Sequence, residues 1–311
     1  MGPPSSGGTT VGEALNILEG FPMSGLPREL ALHRYLEASK LAYADRNAFV
    51  ADPDFEDVPV RGLLSDGFAA ERRALIRDEA LPAPWPAGDP TKYDHGHLGQ
   101  DKRPSGDENA KSTTHLTVAD RWGNVVAYTF TIEQIGGNGM VVPGRGFLLN
   151  NELTDFNFAP GTKNSPAGGK RPRSSMAPTI VFKHGRPVVA LGSPGGASII
   201  TTVLQTLVNH IDFGMTLPEA VVEPRASNRN AAPPADPPPP PGTIERTEAE
   251  QTFIDLYGPP LSARGHYFTV PSGAGELGTV AAIRFRRHGR QQAVAEPTRR
   301  GGGSAMVVWP R

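Results

Sequence analysis

The pattern of apolar residues changes abruptly at Thr113, and that change constrains the fold more than any other feature of the chain. Ahead of it, apolar residues recur at helical spacing; behind it, β-branched runs alternate with turns. Between the two lies a stretch over residues 81–112, rich in Pro, Gly, Asp and Lys, with no apolar period. A patternless stretch beyond about 12–15 residues is uncommon in a compact domain and is usually functional or disordered. Runs of strands flanked by runs of helices indicate an α+β layered domain rather than a βαβ series. The same break divides the chain into residues 1–112, ending in the linker 81–112, and residues 113–311.

Three helices are expected before the break. Thr10 and Glu13 have capping-box spacing, with Val11, Leu15, Leu18 and Phe21 on one face behind them. A second helix over 28–46 carries Leu32, Leu36, Ser39 and Tyr43 as its inner stripe, and a third covers 68–78. After the break, strands at 113–118 and 125–132 flank a turn from Asp120 to Asn124, and a glycine-rich loop follows at 136–139. A second hairpin joins 179–182 to 187–191. Gly192-Ser193-Pro194-Gly195-Gly196 then opens an amphipathic helix striped by Ile200, Val203, Leu204, Leu207 and Ile211 and ended by Gly214. Thr216 and Glu219 form another capping box. Residues 237–241 read as a solvated polyproline insertion. Strand-like runs at 267–270, 280–285 and 306–309 close the chain.

Composition removes several kinds of chemistry. Lys+Arg number 31 against 32 Asp+Glu, which argues against a sequence-wide basic footprint for nucleic acid and against an acidic solvating tail. The absence of cysteine excludes disulfides, thiolate zinc sites and cysteine nucleophiles. No run approaches the roughly 18 apolar residues of a spanning helix. The N-terminus lacks the basic start and apolar stretch of a signal peptide. Gly273-Ala274-Gly275-Glu276-Leu277-Gly278 fits the dinucleotide pattern by letter, but a strand-like run follows it where pyrophosphate needs a helix N-terminus. His95 and His97 beside Asp94 read as solvated linker side chains rather than metal ligands. No Gly-x-Ser-x-Gly elbow occurs.

Thr113, at the start of a strand after a long linker, raises one specific chemical possibility. A threonine hydroxyl is a poor nucleophile without an adjacent base. Scission of the Ser112–Thr113 bond would supply one, because the new α-amine has a free pKa of about 7.7–8.0. Before scission the same nitrogen is an amide that cannot take a proton, so the intact chain is silent. Taken alone, Ser112-Thr113-Thr114 would merely begin a β-strand.

The surrounding residues point further. Thr113-Thr114-His115, Asp120 to Asn124, Leu148-Leu149-Asn150-Asn151, Asp155-Phe156, the run from Lys170 to Thr179 and Gly192 to Gly196 occur in order. With Pro3 to Gly8, Ala42 to Arg46, Asp52 to Phe55 and Arg299 to Gly302, they resemble the γ-glutamyltranspeptidase (glutathione hydrolase) family of N-terminal nucleophile hydrolases. The resemblance weakens only in the linker and over about 228–248.

That resemblance implies a four-layer αββα sandwich, self-cleavage before Thr113 into pieces of 112 and 199 residues, and a heterodimer of those two pieces. Position by position, it implies Thr113 as nucleophile, Thr131 as its supporting hydroxyl, and the Gly195 and Gly196 amides as the oxyanion hole, a role suited to a glycine turn entering a helix. Ser174 and Ser175 match the pair that holds a substrate α-carboxylate, and Glu152 and Asp155 the pair that holds its α-ammonium. Glu133 stands where well-known members carry an ammonium-contacting asparagine; a carboxylate can also accept from an ammonium. The implied substrates are glutathione and other γ-glutamyl compounds, with water or an amino acid as acceptor. No cofactor, metal, nucleic acid or membrane span is implied. A glutaryl or cephalosporin acylase uses the same machinery, and an inactive remnant acting as a partner-binding polypeptide is the reading from another class. Family precursors are nearly twice this length. The N-terminal half that carries the α-carboxylate arginine is missing here, which fits a fragment, one of two complementing chains or a truncated gene model alike. A periplasmic or secreted setting follows from the resemblance alone.

Overall fold

The computed structural model describes residues 1–94, 113–233 and 239–309. Helices α1 (Gly7–Glu19), α2 (Arg28–Phe49), α3 (Val60–Leu63) and α4 (Asp66–Arg73) precede the strand-rich part. The hairpin β1 (Thr113–Ala119) and β2 (Val125–Thr131) comes next, then β3 (Thr179–Lys183), β4 (Arg186–Gly192), α5 (Ser198–Ile211) and α6 (Leu217–Val222). The chain continues through β5 (Ala226–Ala231), β6 (Arg246–Ala249), α7 (Gln251–Ser262), β7 (Phe268–Thr269), β8 (Ala281–Phe285) and β9 (Gln291–Ala295). The architecture is α+β.

Layering follows from which faces are apolar. Strands pair in the order β3-β4-β8-β9, all antiparallel. One face of that sheet, through Val189, Leu191, Val280 and Ala282, buries against Ile199, Ile200, Val203 and Leu207 of α5 and Val11 of α1. Each fully buried Leu, Ile or Val contributes on the order of 1.5–3 kcal/mol. The other face takes the β1–β2 hairpin. There the His115 ring lies over Gly192, where an added Cβ would come within 2.3 Å of it. The Thr117 hydroxyl crosses to the Ala281 carbonyl at 3.2 Å. The order is therefore helix, sheet, hairpin. The outer face of the hairpin carries Leu116, Val118, Val126, Tyr128 and Phe130, each 38–55% exposed. A second core joins α1 and α2 to α7, α5 and the sheet β5-β6-β7.

Nearly all of α2 is buried, charges included; several of its charged and polar groups are paired, while the buried Ser39 hydroxyl has no hydrogen-bond partner among the described residues. Lys40 donates to Glu37 at 2.7 Å and to the Leu81 carbonyl at 2.6 Å. Arg72 of α4 lies 2.8 Å from the Asp45 carboxylate. Tyr35 donates to the Ala226 carbonyl at 2.8 Å.

Several expectations change. Helix α1 begins at Gly7, ahead of the expected Thr10–Glu13 box, because Ser6 is fixed by tertiary bonds to Ser174 and Arg46. Glu13 is buried instead of capping. The third expected helix is α4, which starts two residues earlier and ends five residues earlier than expected and is capped by the Ser65 hydroxyl. Ile211 is exposed rather than part of the α5 stripe. Residues 306–309 form no strand and lie exposed. The Thr216–Glu219 capping box forms with both of its hydrogen bonds. Of the polyproline run only part is described, and Ser112, His95 and His97 lie outside the described residues. Asp94 accepts from the Gly62 amide at 2.7 Å.

Candidate active site

The antiparallel register places Thr113 directly opposite Thr131. The Thr113 hydroxyl donates to the Thr131 hydroxyl at 3.1 Å, and the latter accepts from the Glu133 amide at 2.8 Å. This second bond needs a tight turn after β2, and Glu133 makes it with φ of 74°, an unusual conformation for a residue with a side chain. The turn carries the Glu133 carboxylate inward, where it is buried and accepts from the Asn151 side chain.

One cavity gathers most of the residues singled out from sequence. Thr113, Thr131, Glu133, Glu152, Asp155, Ser174, Ser175 and Gly196 all line it. Gly195 sits one position behind the lining, held by a bond from the Ser198 hydroxyl to its carbonyl at 2.8 Å. Gly195 and Gly196 have φ of 145° and 57°, which glycine tolerates without strain. Neither amide donates a hydrogen bond among the described residues, so both remain available at the entrance to α5.

Glu152 and Asp155 share the 3-10 turn Glu152–Asp155, which brings their carboxyls beside Glu133. Burial, then the Glu152 and Glu133 charges, pushes Asp155 up to about 8, against the opposing pull of Arg46. Burial also raises Glu152. Burial and neighbouring negative charge therefore favour the protonated forms of Glu152 and Asp155.

Sequence reasoning missed Arg46, Asn157 and Arg173, which also line the cavity. Arg46 and Arg173 lie in motifs that were visible and Asn157 lies just past one, but a motif gives no signal of which wall a buried side chain meets. Arg171, two residues before Arg173, clamps the buried Asp52 carboxylate through its amide at 2.8 Å and its guanidinium, fixing this segment to the loop that follows α2. The nearby His115 does not line the cavity; burial lowers it to about 4, so its ring is neutral, bonded to Thr129 at 2.7 Å and Thr117 at 3.0 Å.

Elsewhere, His33, Glu37 and His266 bring possible metal-ligand atoms within 4.8 Å of one another. Those atoms are already engaged: His33 bonds His266 at 2.8 Å, and Lys40 places an ammonium 2.7 Å from Glu37. A resident cation there makes the cluster a buried hydrogen-bond network. The Gly273 to Gly278 run leads into strand β8, not a helix, so it presents no helix N-terminus to a phosphate.

The fold is that of an N-terminal nucleophile hydrolase. The family model described as Gamma-glutamyltranspeptidase matches residues 1–306, and the chain belongs to that family. It is 49% identical over 227 residues to the glutathione hydrolase proenzyme of Bacillus subtilis (strain 168), covering 72% of this chain and 38% of that protein. It is 39% identical over 282 residues to the acylase ACY 1 proenzyme of Pseudomonas sp. (strain SE83), covering 90% and 45%. Among solved structures, the cephalosporin acylase of Bacillus halodurans superposes with a TM-score of 0.79 at 28% identity, over 98% of this chain and 50% of that one. The γ-glutamyltranspeptidase of Pseudomonas nitroreducens complexed with L-DON gives 0.53 at 31% identity, over 63% and 100%. The chain thus spans about two-fifths to half the length of these full-length relatives.

Proposed function

We propose that the chain carries the catalytic centre of a γ-glutamyl amide hydrolase and transferase, with Thr113 as an N-terminal nucleophile freed by scission of the Ser112–Thr113 bond. The observation that carries this reading is the Thr113–Thr131 hydroxyl pair in one cavity with three carboxylates and two serine hydroxyls. Among the described lining residues there is neither a histidine nor a lysine, so the Thr113 α-nitrogen is the natural base.

In the reaction, the Thr113 amine takes the hydroxyl proton as Oγ attacks the γ-carbonyl carbon. The oxyanion rests on the Gly195 and Gly196 amides. Collapse breaks the C–N bond and passes the proton to the departing amine nitrogen, leaving a γ-glutamyl ester on Thr113. Water or an amine then adds, the Thr113 amine taking its proton and returning it to Oγ as the ester breaks. Thr131 orients Oγ throughout. Glu133, Glu152 and Asp155 receive the substrate ammonium; Ser174 and Ser175 receive its carboxylate.

The names of the acylase relatives raise the glutaryl alternative, with a substrate lacking the amine. Three acids in the lining favour the amine-bearing substrate, since an analogue without it leaves them unpaired. The test compares γ-glutamyl and glutaryl p-nitroanilides on the parent and Thr113→Ala proteins. The reading expects γ-glutamyl preference and loss of turnover in Thr113→Ala. Glutaryl preference, or undiminished turnover by Thr113→Ala, contradicts it.

A further inference from the structure

Arg46, near the end of α2, is only 2% exposed yet lines the cavity. Its Nε donates to the Ser6 hydroxyl, one terminal nitrogen to the Asn47 side chain and the other to the Ser175 hydroxyl, each at 2.8 Å. Ser6 donates onward to the Ser174 carbonyl at 2.8 Å. One planar guanidinium therefore braces the 174–175 segment at two points, a task for a rigid fork rather than a point charge.

The directions of these bonds matter more than their number. The Ser175 oxygen accepts from Arg46, and the Ser174 oxygen accepts from the Met176 amide at 3.2 Å. Among the described residues neither hydroxyl donates. Each hydroxyl proton is thus turned away from its protein partner and is available to the cavity. A hydroxyl that accepts from a cation is also a stronger donor in its own right.

We propose that Arg46 is a positioning residue for carboxylate recognition: by donating to the Ser175 oxygen it aims the Ser175 proton into the cavity, toward the α-carboxylate of the ligand. The proposal rests on the γ-glutamyl reading above and adds to it the residue that sets the serine rotor. Arg46 acts through Ser175, so the two residues form one unit.

The test measures binding of three small ligands to the full chain by calorimetry. L-glutamate carries both α-groups, 4-aminobutyrate lacks the α-carboxylate and glutarate lacks the amine. Arg46→Gln is expected to weaken glutamate and glutarate at least tenfold relative to 4-aminobutyrate, whose ammonium meets Asp155 and so also feels the loss of the Arg46 charge. Ser175→Ala gives the same selective loss, and the double variant loses no more than the larger single loss, as residues acting in series do. If Arg46→Gln does not fold, Arg46→Lys keeps the buried charge. It shows the same selectivity, because a single ammonium nitrogen cannot reach Ser6, Asn47 and Ser175, which the guanidinium meets from three separate nitrogens. Equal weakening of all three ligands in a folded Arg46 variant, or additive losses in the double variant, overturns the proposal. Failure of the parent to bind L-glutamate overturns the γ-glutamyl reading itself, and this inference with it.

Discussion

Asp155 shows how one side chain couples burial to chemistry. Its carboxyl is pushed up to about 8, so at neutral pH it carries a proton, which on the proposed γ-glutamyl reading an incoming ammonium displaces. Affinity for L-glutamate is therefore expected to rise as pH climbs from 6 toward 8, by at most tenfold per unit, and then to level off. Calorimetry across that range checks it, and Asp155→Asn should flatten the profile. The stability sign is the reverse. A carboxyl whose folded pKa is raised contributes stability below its unfolded value of about 3.9 and loses it as pH rises through 8. The unliganded protein should melt at lower temperature at pH 8 than at pH 5, and Asp155→Asn should narrow that difference. Thr131→Val removes the acceptor for both the Thr113 hydroxyl and the Glu133 amide. It should lower kcat about tenfold, the worth of one hydrogen bond near 1.4 kcal/mol, with a smaller change in KM. At this scale the motifs named residues that the structure gathers in one cavity, but not their bonds. The positive φ of Glu133 and the reach of Arg46 across to Ser175 are set by tertiary neighbours that no local pattern reveals.

Elements whose faces are apolar were legible; elements whose faces are polar were not. The α5 stripe was readable through Leu207, and Leu204 is buried in the core between α5 and α2. Leu204→Ala should cost about 2–5 kcal/mol in denaturant unfolding, whereas Ile211→Ala, at an exposed position, should stay within about 0.5 kcal/mol. Strands β5 and β6 escaped notice because their sequences, Ala-Ser-Asn-Arg-Asn-Ala and Arg-Thr-Glu-Ala, have no apolar alternation. They are buried by hydrogen bonding instead: Asn228 donates to Glu245 and Thr247, and Glu245 accepts from the Tyr267 amide at 3.0 Å. Residues 306–309 show the converse error. Four strand-forming residues in a row make no strand when no neighbouring edge pairs with them. The capping box at Thr216 depends only on local contacts and was read in full. Thr216→Ala should cost about 1 kcal/mol.

In the whole molecule, the hairpin that begins at Thr113 lies between two environments. Its inner face packs on the β3-β4-β8-β9 sheet, and its outer face is apolar and exposed. The break in periodicity at Thr113 therefore marks more than a change of secondary structure, because it places that residue where a strand enters the cavity wall. The layering of helix, sheet and hairpin came from family resemblance, since long-range packing leaves no local trace. The most direct measurement of the account is the mass and N-terminal sequence of the purified, denatured protein. The account predicts two pieces of 112 and 199 residues, the second beginning Thr-Thr-His-Leu. A single unbroken chain that persists on long incubation, or a break at any other bond, would contradict it.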